Sequence, residues 1–340
     1  MRHINIPIFI PHLGCPNQCI FCNQRYISGN ECFNEDNIEN EILEVLSTVS
    51  NDDTCEIAFF GGSFTGIDRA LMIRLLNLAQ KYVNSGRVCG IRMSTRPDYI
   101  SKEIIEILNK YSVSAVELGI QTMNDDVLEY LKRGHSTKDT ENAIRLLNEA
   151  QIPFVGQMMI GLPGSTKEDE LFCARKICEL GASASRIYPT LVFKNTELEK
   201  ITLKNEYTPL TVEEAVQRSA DVLNVFYDNN VPCIRIGLCD SDNLHSTDTF
   251  IAGPNCPSIG EMVKSRLFYN IICSILSKVN SKDIIIECAK GKTSQVIGNR
   301  KENIISISKR FELNSLKIVE NSNLSHYDIR IINKEEAKCV

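Results

Sequence analysis

The sequence predicts an α/β protein built on a partial (β/α)6 barrel of parallel strands. Six short apolar runs alternate with segments of helical periodicity over about 190 residues of the 340-residue chain, and such alternation gives parallel strands with right-handed crossovers. An open doubly wound sheet fits the same pattern. A barrel-like curve is favoured because unusual residues follow the predicted C-terminal ends of strands, the rim where barrels build their sites. These residues are Cys15, Gly61, Ser94, Gln121 and Gly161.

The predicted elements follow one another regularly up to residue 195. The strands are short apolar runs, several ended by glycine, at 4–10, 55–60, 88–93, 115–120, 154–160 and 186–193. Between them, apolar residues recur at helical spacing, which predicts helices at 37–49, 69–83, 102–111, 124–131, 138–150 and 167–180.

The pattern changes after residue 195. A long helix is predicted at 211–229, where Thr211 provides an N-cap and acidic residues occupy the first turn. A short strand at 233–237 and a helix at 261–279 follow. The last 60 residues predict a β-α-α-β-β unit. We therefore expect three parts. Residues 1–260 form a barrel domain with a C-terminal extension, residues 261–280 a linking helix, and residues 281–340 a small α+β domain.

The composition is that of an ordinary soluble protein, with 43% hydrophobic and 24% charged residues. No apolar run approaches the roughly 20 residues that span a bilayer, and the N-terminus lacks the cleavage site of a secretory signal. We expect a cytoplasmic protein without a membrane partner. The net charge of -6 does not indicate nucleic-acid binding by the whole chain, but residues 281–340 hold 11 basic and 8 acidic residues. The sequence does not indicate an oligomeric state.

Only three of the 14 cysteines form a cluster, Cys15, Cys19 and Cys22 at C-x3-C-x2-C spacing. Scattered cysteines in a reducing compartment are mostly buried apolar residues, whereas clustered ones bind metal. The alternatives are plain loop cysteines and a zinc site completed by His12 or a distant residue, but structural zinc sites have four ligands, usually from two pairs. Three thiolates can instead hold an iron–sulfur cluster that lacks one protein ligand.

The cysteine segment, with Phe21 immediately before the last cysteine, resembles the signature of the radical S-adenosylmethionine (radical SAM) superfamily. The resemblance implies a TIM-like radical SAM barrel and a 4Fe-4S cluster held by Cys15, Cys19 and Cys22. It also implies that the free iron binds the amino and carboxylate groups of S-adenosylmethionine. The reduced cluster then cleaves this cofactor to a 5'-deoxyadenosyl radical that abstracts hydrogen.

A glycine motif follows the second predicted strand. The sequence Phe-Phe-Gly-Gly-Ser at 59–63 resembles the family's glycine motif, whose backbone contacts the methionine amino group. The common form of the motif ends in Glu, and this chain has Ser63. The resemblance implies that Gly61, Gly62 and Ser63 lie at the cofactor.

Four more motifs, at 93–98, 117–121, 132–135 and 161–165, together resemble the radical SAM domain of the Elongator catalytic subunit, which modifies the wobble uridine of tRNA. The resemblance covers roughly residues 5 to 260 and implies that Ser94, Gln121 and Arg133 line the S-adenosylmethionine site. Arg133 suits the methionine carboxylate because a guanidinium can pair bidentately with it. Gln157 stands where Elongator relatives carry His and coproporphyrinogen-type enzymes carry Asp. The resemblance implies that Gln157 and Phe21 also lie at the cofactor. The acetyltransferase domain of Elongator has no counterpart here, so acetyl transfer is not implied.

The C-terminal unit contains a second type of motif. Residues 294–304 resemble the glycine loop of K-homology domains, which clamps a nucleic-acid backbone between two short helices. The resemblance implies nucleic-acid contacts by Gly298, Arg300 and Lys301, with Lys301 in place of the second glycine. The alternative is a small cap with a solvated basic face.

Three functional hypotheses follow. The first is a radical SAM enzyme that modifies RNA, in particular tRNA, and receives electrons from a reductant such as ferredoxin or flavodoxin. The second is radical SAM chemistry on a small metabolite or a tetrapyrrole. The third is a cluster-stabilised RNA-binding protein without catalysis. The sequence does not identify a catalytic residue beyond the cofactor site.

Overall fold

A computed structural model describes residues 3–10, 13–15, 19–23, 26, 33–50, 52–238, 246 and 248–333. The chain forms two compact units, the first from residues 1–210 and 231–255 and the second from residues 211–230 and 256–340. The predicted domain limits at residues 260 and 280 remain predictions. No helix in the described ranges combines the length and apolar character that a bilayer span requires.

The first unit contains a seven-stranded parallel sheet that curls as a half-barrel, with the strand order β1-β2-β3-β4-β5-β6-β8. These strands are β1 (His3–Phe9), β2 (Thr54–Phe60), β3 (Gly90–Thr95), β4 (Val113–Gln121), β5 (Phe154–Ile160), β6 (Ala184–Pro189) and β8 (Cys233–Ile236). The partial barrel is confirmed, and each of the six predicted strands contributes a strand to this sheet. The short strand predicted at 233–237 joins the sheet as its seventh strand, next to β6.

The helices of the first unit follow the predicted alternation. They are α1 (Ile38–Thr48), α2 (Arg69–Asn84), α3 (Lys102–Leu108), α4 (Asp125–Tyr130), α5 (Thr137–Glu149), α6 (Lys167–Glu179) and α7 (Glu197–Leu203). Capping boxes at Ser136 and Thr166 stabilise the first turns of α5 and α6. In each box, the side chain accepts from a backbone N–H that has no partner within the helix. Helix α7 was not predicted, although Thr196 precedes it and accepts from the backbone N–H of Glu199.

The strand predicted at 186–193 is divided in the structure. Strand β6 ends at Pro189, and after a break the chain continues as β7 (Val192–Phe193), which pairs antiparallel with β9 (Phe250–Ala252). A proline has no N–H to donate to a neighbouring strand, so it favours the end of a sheet strand.

Alternation along the strands separates an apolar outer face from a polar inner one. On β4, Val116, Leu118 and Ile120 are fully buried, whereas Glu117 and Gln121 line a cavity. The same alternation on neighbouring strands places charged and amide side chains inside the curve of the sheet.

The second unit packs α8 (Val212–Asp228) against α9 (Ile259–Leu276) and includes a three-stranded sheet. Its central strand β10 (Asp283–Cys288) runs parallel to β11 (Ser315–Glu320) and antiparallel to β12 (Ile329–Asn333). Helices α10 (Thr293–Ile297) and α11 (Glu302–Phe311) lie between β10 and β11 in sequence, which confirms the predicted β-α-α-β-β order. The core of this unit includes the buried residues Phe268, Ile272, Ile284, Ile286, Val296 and Ile307.

Candidate active site

A cavity of about 730 Å³ lies within the first unit. It is lined by all the residues that the sequence predicted for the cluster and the cofactor, namely Cys15, Cys19, Cys22, Phe21, Gly61, Gly62, Ser63, Ser94, Gln121, Arg133 and Gln157. The fold therefore brings together residues that lie up to 142 positions apart in the sequence. Their individual roles stay predictions.

The glycine motif packs directly against the segment that leads to Cys15. A Cβ atom on Gly62 would lie 2.5 Å from the Leu13 carbonyl oxygen, and one on Gly14, which has φ +74°, would lie 2.3 Å from the Ser63 carbonyl oxygen. Side chains therefore cannot replace either glycine without moving the backbone. The Ser63 N–H donates to Leu13 O at 3.2 Å, and Ser63 Oγ lies 3.2 Å from Cys15 Sγ. The motif thus positions Cys15 at the cavity.

Short backbone contacts hold the other two cysteines. The Cys22 N–H donates to Cys19 O at 3.0 Å, which closes a tight turn between them. The Ile20 N–H donates to Leu131 O at 3.2 Å, and Phe21 packs against the apolar cluster that contains Ile20 and Leu131. The end of α4 therefore supports the cysteine segment.

Arg133 connects the cysteine segment with β4. Its Nη1 donates to Cys19 Sγ at 3.2 Å and its Nη2 donates to Gly119 O at 2.8 Å. Each of these nitrogens carries two N–H groups, so each retains one for a cofactor carboxylate. A Cβ on Gly119 would lie 3.2 Å from Arg133 Nη2 and 2.9 Å from Gln121 Nε2. Gly119 therefore provides the space in which both side chains lie.

Gln121 has an unusual backbone conformation. It has φ +68°, and the register between β4 and β5 shifts between Gly119 and Gln121. Residues with side chains seldom adopt positive φ, and such strain and bulges are frequent next to functional sites. The bulge occurs where Gln121 reaches the cavity lining.

Arg96 is a cavity residue whose role the sequence did not reveal. It is 3% exposed and forms a fork with Asp98, with two N···O distances of 2.9 Å. Burial alone would lower the pKa of Arg96, but Asp98 and the nearby Cys19 and Cys15 raise it above its ordinary value. Its Nη1 has no hydrogen-bond partner among the described residues. Arg96 therefore supplies positive charge beside the predicted cluster ligands.

These residues fit a 4Fe-4S cluster. Three soft thiol ligands line one cavity and two buried arginines, Arg96 and Arg133, can offset the negative charge of thiolates. Within the described ranges, no three side chains of ligating type converge around a single metal ion. Ligands of a 4Fe-4S cluster each bind a different iron and surround the cluster instead. His12, the alternative fourth ligand of a zinc site, lies outside the described residues.

Glu117 organises the deeper part of the cavity. It is fully buried and accepts from Arg186 Nη2 at 2.5 Å and from Gln157 Nε2 at 2.8 Å. Arg92 Nη1 and Ser94 Oγ lie 3.4 Å from its two carboxylate oxygens. Two of the predicted cofactor residues, Ser94 and Gln157, are therefore oriented by a carboxylate that the sequence analysis did not assign to the site.

The sequence contains one signal that could have identified these buried charged residues. Glu117 lies inside a strand between the buried residues Val116 and Leu118, and Arg186 inside a strand between the buried residues Ser185 and Ile187. A charged residue in such a strand must face a partner or a polar cavity, because burial of an unpaired charge is costly. Which of these charges meet cannot be inferred without the strand register.

His135 gives a prediction about acid stability. It is 6% exposed, and burial together with Arg133 and Arg96 lowers its pKa to about 3, so its imidazole is neutral in the folded protein. The unfolded chain binds a proton near pH 6.5. The free energy of unfolding therefore decreases as pH falls from about 6.5 towards 3, and the loss is on the order of 3 kcal/mol at pH 4.

The variant His135→Leu should lose less stability than the wild type over this pH range. The free energy of unfolding in urea, measured at several pH values, tests this. The control His326→Gln changes an exposed histidine and should follow the wild type. Parallel losses in the wild type and in His135→Leu would contradict the assignment.

The predicted nucleic-acid loop lies in the second unit. Gly298 has φ +78°, and Arg300 and Lys301 adopt left-handed conformations with φ +49° and +65°. Both basic side chains are exposed. Asn303 is buried beneath the loop and donates to the Ser265 carbonyl oxygen at 3.0 Å. The loop between α10 and α11 is thus anchored at its base and presents two cations outward.

The comparisons with known proteins agree with this geometry. Residues 9–174 match the model of the radical SAM superfamily and residues 182–269 match that of the radical SAM C-terminal domain. An uncharacterized protein of Methanocaldococcus jannaschii is 30% identical over 64% of this chain and 70% of its own length. A tRNA uridine(34) acetyltransferase of the same organism is 35% identical over 38% of this chain.

The match covers 25% of that acetyltransferase, so the chain spans about a quarter of its length. Among solved structures, Elp3 of Methanocaldococcus infernus, with its N-terminus deleted, superposes with a TM-score of 0.61. That match has 22% identity and covers 78% of this chain and 62% of the other, which supports the fold alone. The family models, together with the relative from Methanocaldococcus jannaschii, show that the chain belongs to the radical SAM superfamily, whose enzymes use a 4Fe-4S cluster and S-adenosylmethionine.

Proposed function

We propose that this radical SAM enzyme modifies RNA, with tRNA as its substrate. The observation that carries the proposal is the exposed Arg300–Lys301 loop, which joins two short helices in a β-α-α-β-β unit. The similarity of the first unit to part of a tRNA uridine(34) acetyltransferase supports it.

The loop is suited to a phosphate backbone for two reasons. Its left-handed residues turn the chain sharply, so that Arg300 and Lys301 both lie at the turn. Lys309 and Arg310 in the last turn of α11 add positive charge. Sequence-independent contacts between cations and phosphates provide much of the affinity of proteins for RNA.

The cavity would supply the chemistry. The cluster on Cys15, Cys19 and Cys22 would provide reductive cleavage of S-adenosylmethionine, with the electron delivered by a protein such as ferredoxin or flavodoxin. The backbone of Gly61, Gly62 and Ser63 would bind the methionine amino group. Arg133 would bind the carboxylate through the N–H groups that Cys19 and Gly119 leave free.

The remaining predicted residues would hold the rest of the cofactor. Ser94 and Gln157, both oriented by Glu117, and the strained Gln121 offer hydrogen-bond donors and acceptors on one side of the cavity. Phe21 packs against the apolar cluster that contains Ile20 and Leu131 and would hold the cysteine segment beside the cofactor.

A second candidate is radical chemistry on a small metabolite or a tetrapyrrole. The charged deep part of the cavity favours it, because Arg92 and Arg186 line a space inside the sheet where a small molecule would be enclosed.

The RNA proposal predicts that the double variant Arg300→Ala/Lys301→Ala binds tRNA about tenfold more weakly than the wild type. The slope of log K against log salt concentration should also fall by roughly 1.5, since each lost phosphate contact contributes about 0.7–0.9. Titration of labelled tRNA at several salt concentrations measures both quantities.

The control Lys102→Ala/Lys110→Ala removes the same charge from two exposed positions, one at the start of α3 and one two residues after its end, and should bind as the wild type does. Absent or salt-independent tRNA binding would refute the proposal, as would equal losses in both double variants. Comparison of tRNA modifications in cells with and without the protein would then identify the product.

A further inference from the structure

The inner end of the cavity, which we define by Arg92, Arg186, Arg235, Glu56 and Glu117, carries more positive than negative charge. Arg92, Arg186, Arg235 and Glu117 line the cavity itself, and Glu56 lies behind them and accepts from Arg92 Nε at 2.9 Å. Three guanidinium groups thus face two carboxylates, which leaves one positive charge of the inner end uncompensated. An uncompensated charge in a partly enclosed site has a strong electrostatic preference for an anion.

Arg235 is the guanidinium of the inner end for which the described residues provide no carboxylate. It lies directly beside Arg186 in the register of β6 and β8, and like charges on adjacent strands destabilise a sheet. Arg186 pairs with Glu117 at 2.5 Å. Within the described ranges no carboxylate pairs with Arg235, which is half-buried and lines the cavity.

Tyr188 adds a neutral donor next to these cations. Its hydroxyl oxygen accepts from Arg186 Nη1 at 3.1 Å, and burial raises the pKa of Tyr188, so the phenol keeps its proton at neutral pH. Among the described residues that proton has no acceptor. The Arg186 guanidinium lies 5.5 Å from the centre of the Phe60 ring, which together with Glu117 fixes its orientation. A ligand would therefore meet a hydroxyl donor and a guanidinium with free N–H groups.

We propose that the inner end binds an oxyanion of the substrate, a carboxylate or a phosphate group. Arg235 would pair with two of its oxygens and Tyr188 would donate to one of them. A planar guanidinium fork matches both kinds of oxyanion. Both described carboxylates of the inner end are already paired with arginines, so neither is left over to repel the anion. The proposal rests on the use of this cavity for the substrate, and it holds whether the substrate is RNA or a small molecule.

The test uses the full-length protein with its cluster reconstituted under anaerobic conditions and saturated with S-adenosylmethionine. Calorimetric titration with acetate in one arm and inorganic phosphate in the other measures anion binding without RNA and without turnover. Binding of either anion supports the proposal and identifies the group. Both Arg235→Gln and Tyr188→Phe should weaken binding, the former by about tenfold, since it removes a charge-assisted pair.

The matched control is Arg145→Gln on α5, whose side chain is exposed and pairs with Glu149; its anion affinity should equal that of the wild type. Phenylglyoxal labelling provides a second measurement, in which the bound anion should protect Arg235, identified by mass spectrometry, but not Arg145. Binding that S-adenosylmethionine abolishes would overturn the proposal, because the site would then belong to the cofactor. Absent binding of both anions, or equal binding by Arg235→Gln, would also overturn it. Loss of tRNA binding in the loop variant would leave these results unchanged, so the two proposals fail separately.

Discussion

Replacement of Cys19 by Ala is expected to leave a protein that cannot retain a 4Fe-4S cluster. We propose only three protein ligands for the cluster, and removal of one would leave two thiolates to hold four irons. The change also removes the sulfur that accepts from Arg133 Nη1 at 3.2 Å. Iron and sulfide content after anaerobic reconstitution, together with the visible absorption of the cluster, measures the effect.

The matched control is Cys89→Ser. Cys89 is exposed and its thiol donates to Cys55 O at 3.0 Å, away from the cavity lining. The control should bind iron and sulfide as the wild type does. Retention of a full cluster by Cys19→Ala would contradict the assignment of the ligands, and an equal loss in both variants would point to general damage by cysteine replacement.

Replacement of Glu117 by Gln should destabilise the protein by about 3 kcal/mol or more, because removal of one partner from a buried ion pair leaves the other charge uncompensated. The glutamine would keep one acceptor oxygen for Arg186 Nη2 but no negative charge, and its NH2 group would face the donors Gln157 Nε2 and Ser94 Oγ. Affinity for S-adenosylmethionine should fall as well, since Ser94 and Gln157 lose their common acceptor. Urea unfolding and equilibrium dialysis measure the two effects.

The exposed carboxylate Glu103, which pairs with Arg69, offers a comparison. Glu103→Gln should change stability by less than about 1 kcal/mol, the usual size for a surface ion pair. In a double-mutant cycle, Glu117→Gln/Arg186→Gln should cost less than the sum of the single changes, because no unpaired charge remains. Additive losses would show that the pair does not contribute as a unit.

The alternation of apolar runs and helical segments was sufficient to predict the barrel strands, because strands and helices differ in the spacing of their apolar residues. The boundaries were less predictable. Pro189 divides a run that looked continuous, and β7 pairs with β9, a partner about 60 residues away. Helix α7 has only seven residues, too few for a clear apolar period, although Thr196 and Glu199 matched a capping pattern.

The proposed cofactor residues could be predicted because they lie in short motifs whose order along the chain is itself informative. Arg96, Glu117, Arg186 and Arg235 were not assigned roles, because their significance depends on which strands are neighbours. Glu117 and Arg186 are 69 residues apart. Only the register that places β3, β4, β5 and β6 side by side shows that one carboxylate on β4 orients residues of the other three strands. The packing of Gly14 against Ser63 could not be predicted from the sequence either, because it is a contact between two backbone segments and involves no side chain.

The central claim is that Cys15, Cys19 and Cys22 hold a cluster whose open position serves S-adenosylmethionine in the adjoining cavity. Formation of 5'-deoxyadenosine by the reduced, anaerobically reconstituted protein tests it most directly. We predict that the wild type and Cys89→Ser release 5'-deoxyadenosine and methionine only when reductant is present, and that Cys19→Ala does not. A wild-type protein with a complete cluster and bound S-adenosylmethionine that yields no 5'-deoxyadenosine would contradict the claim.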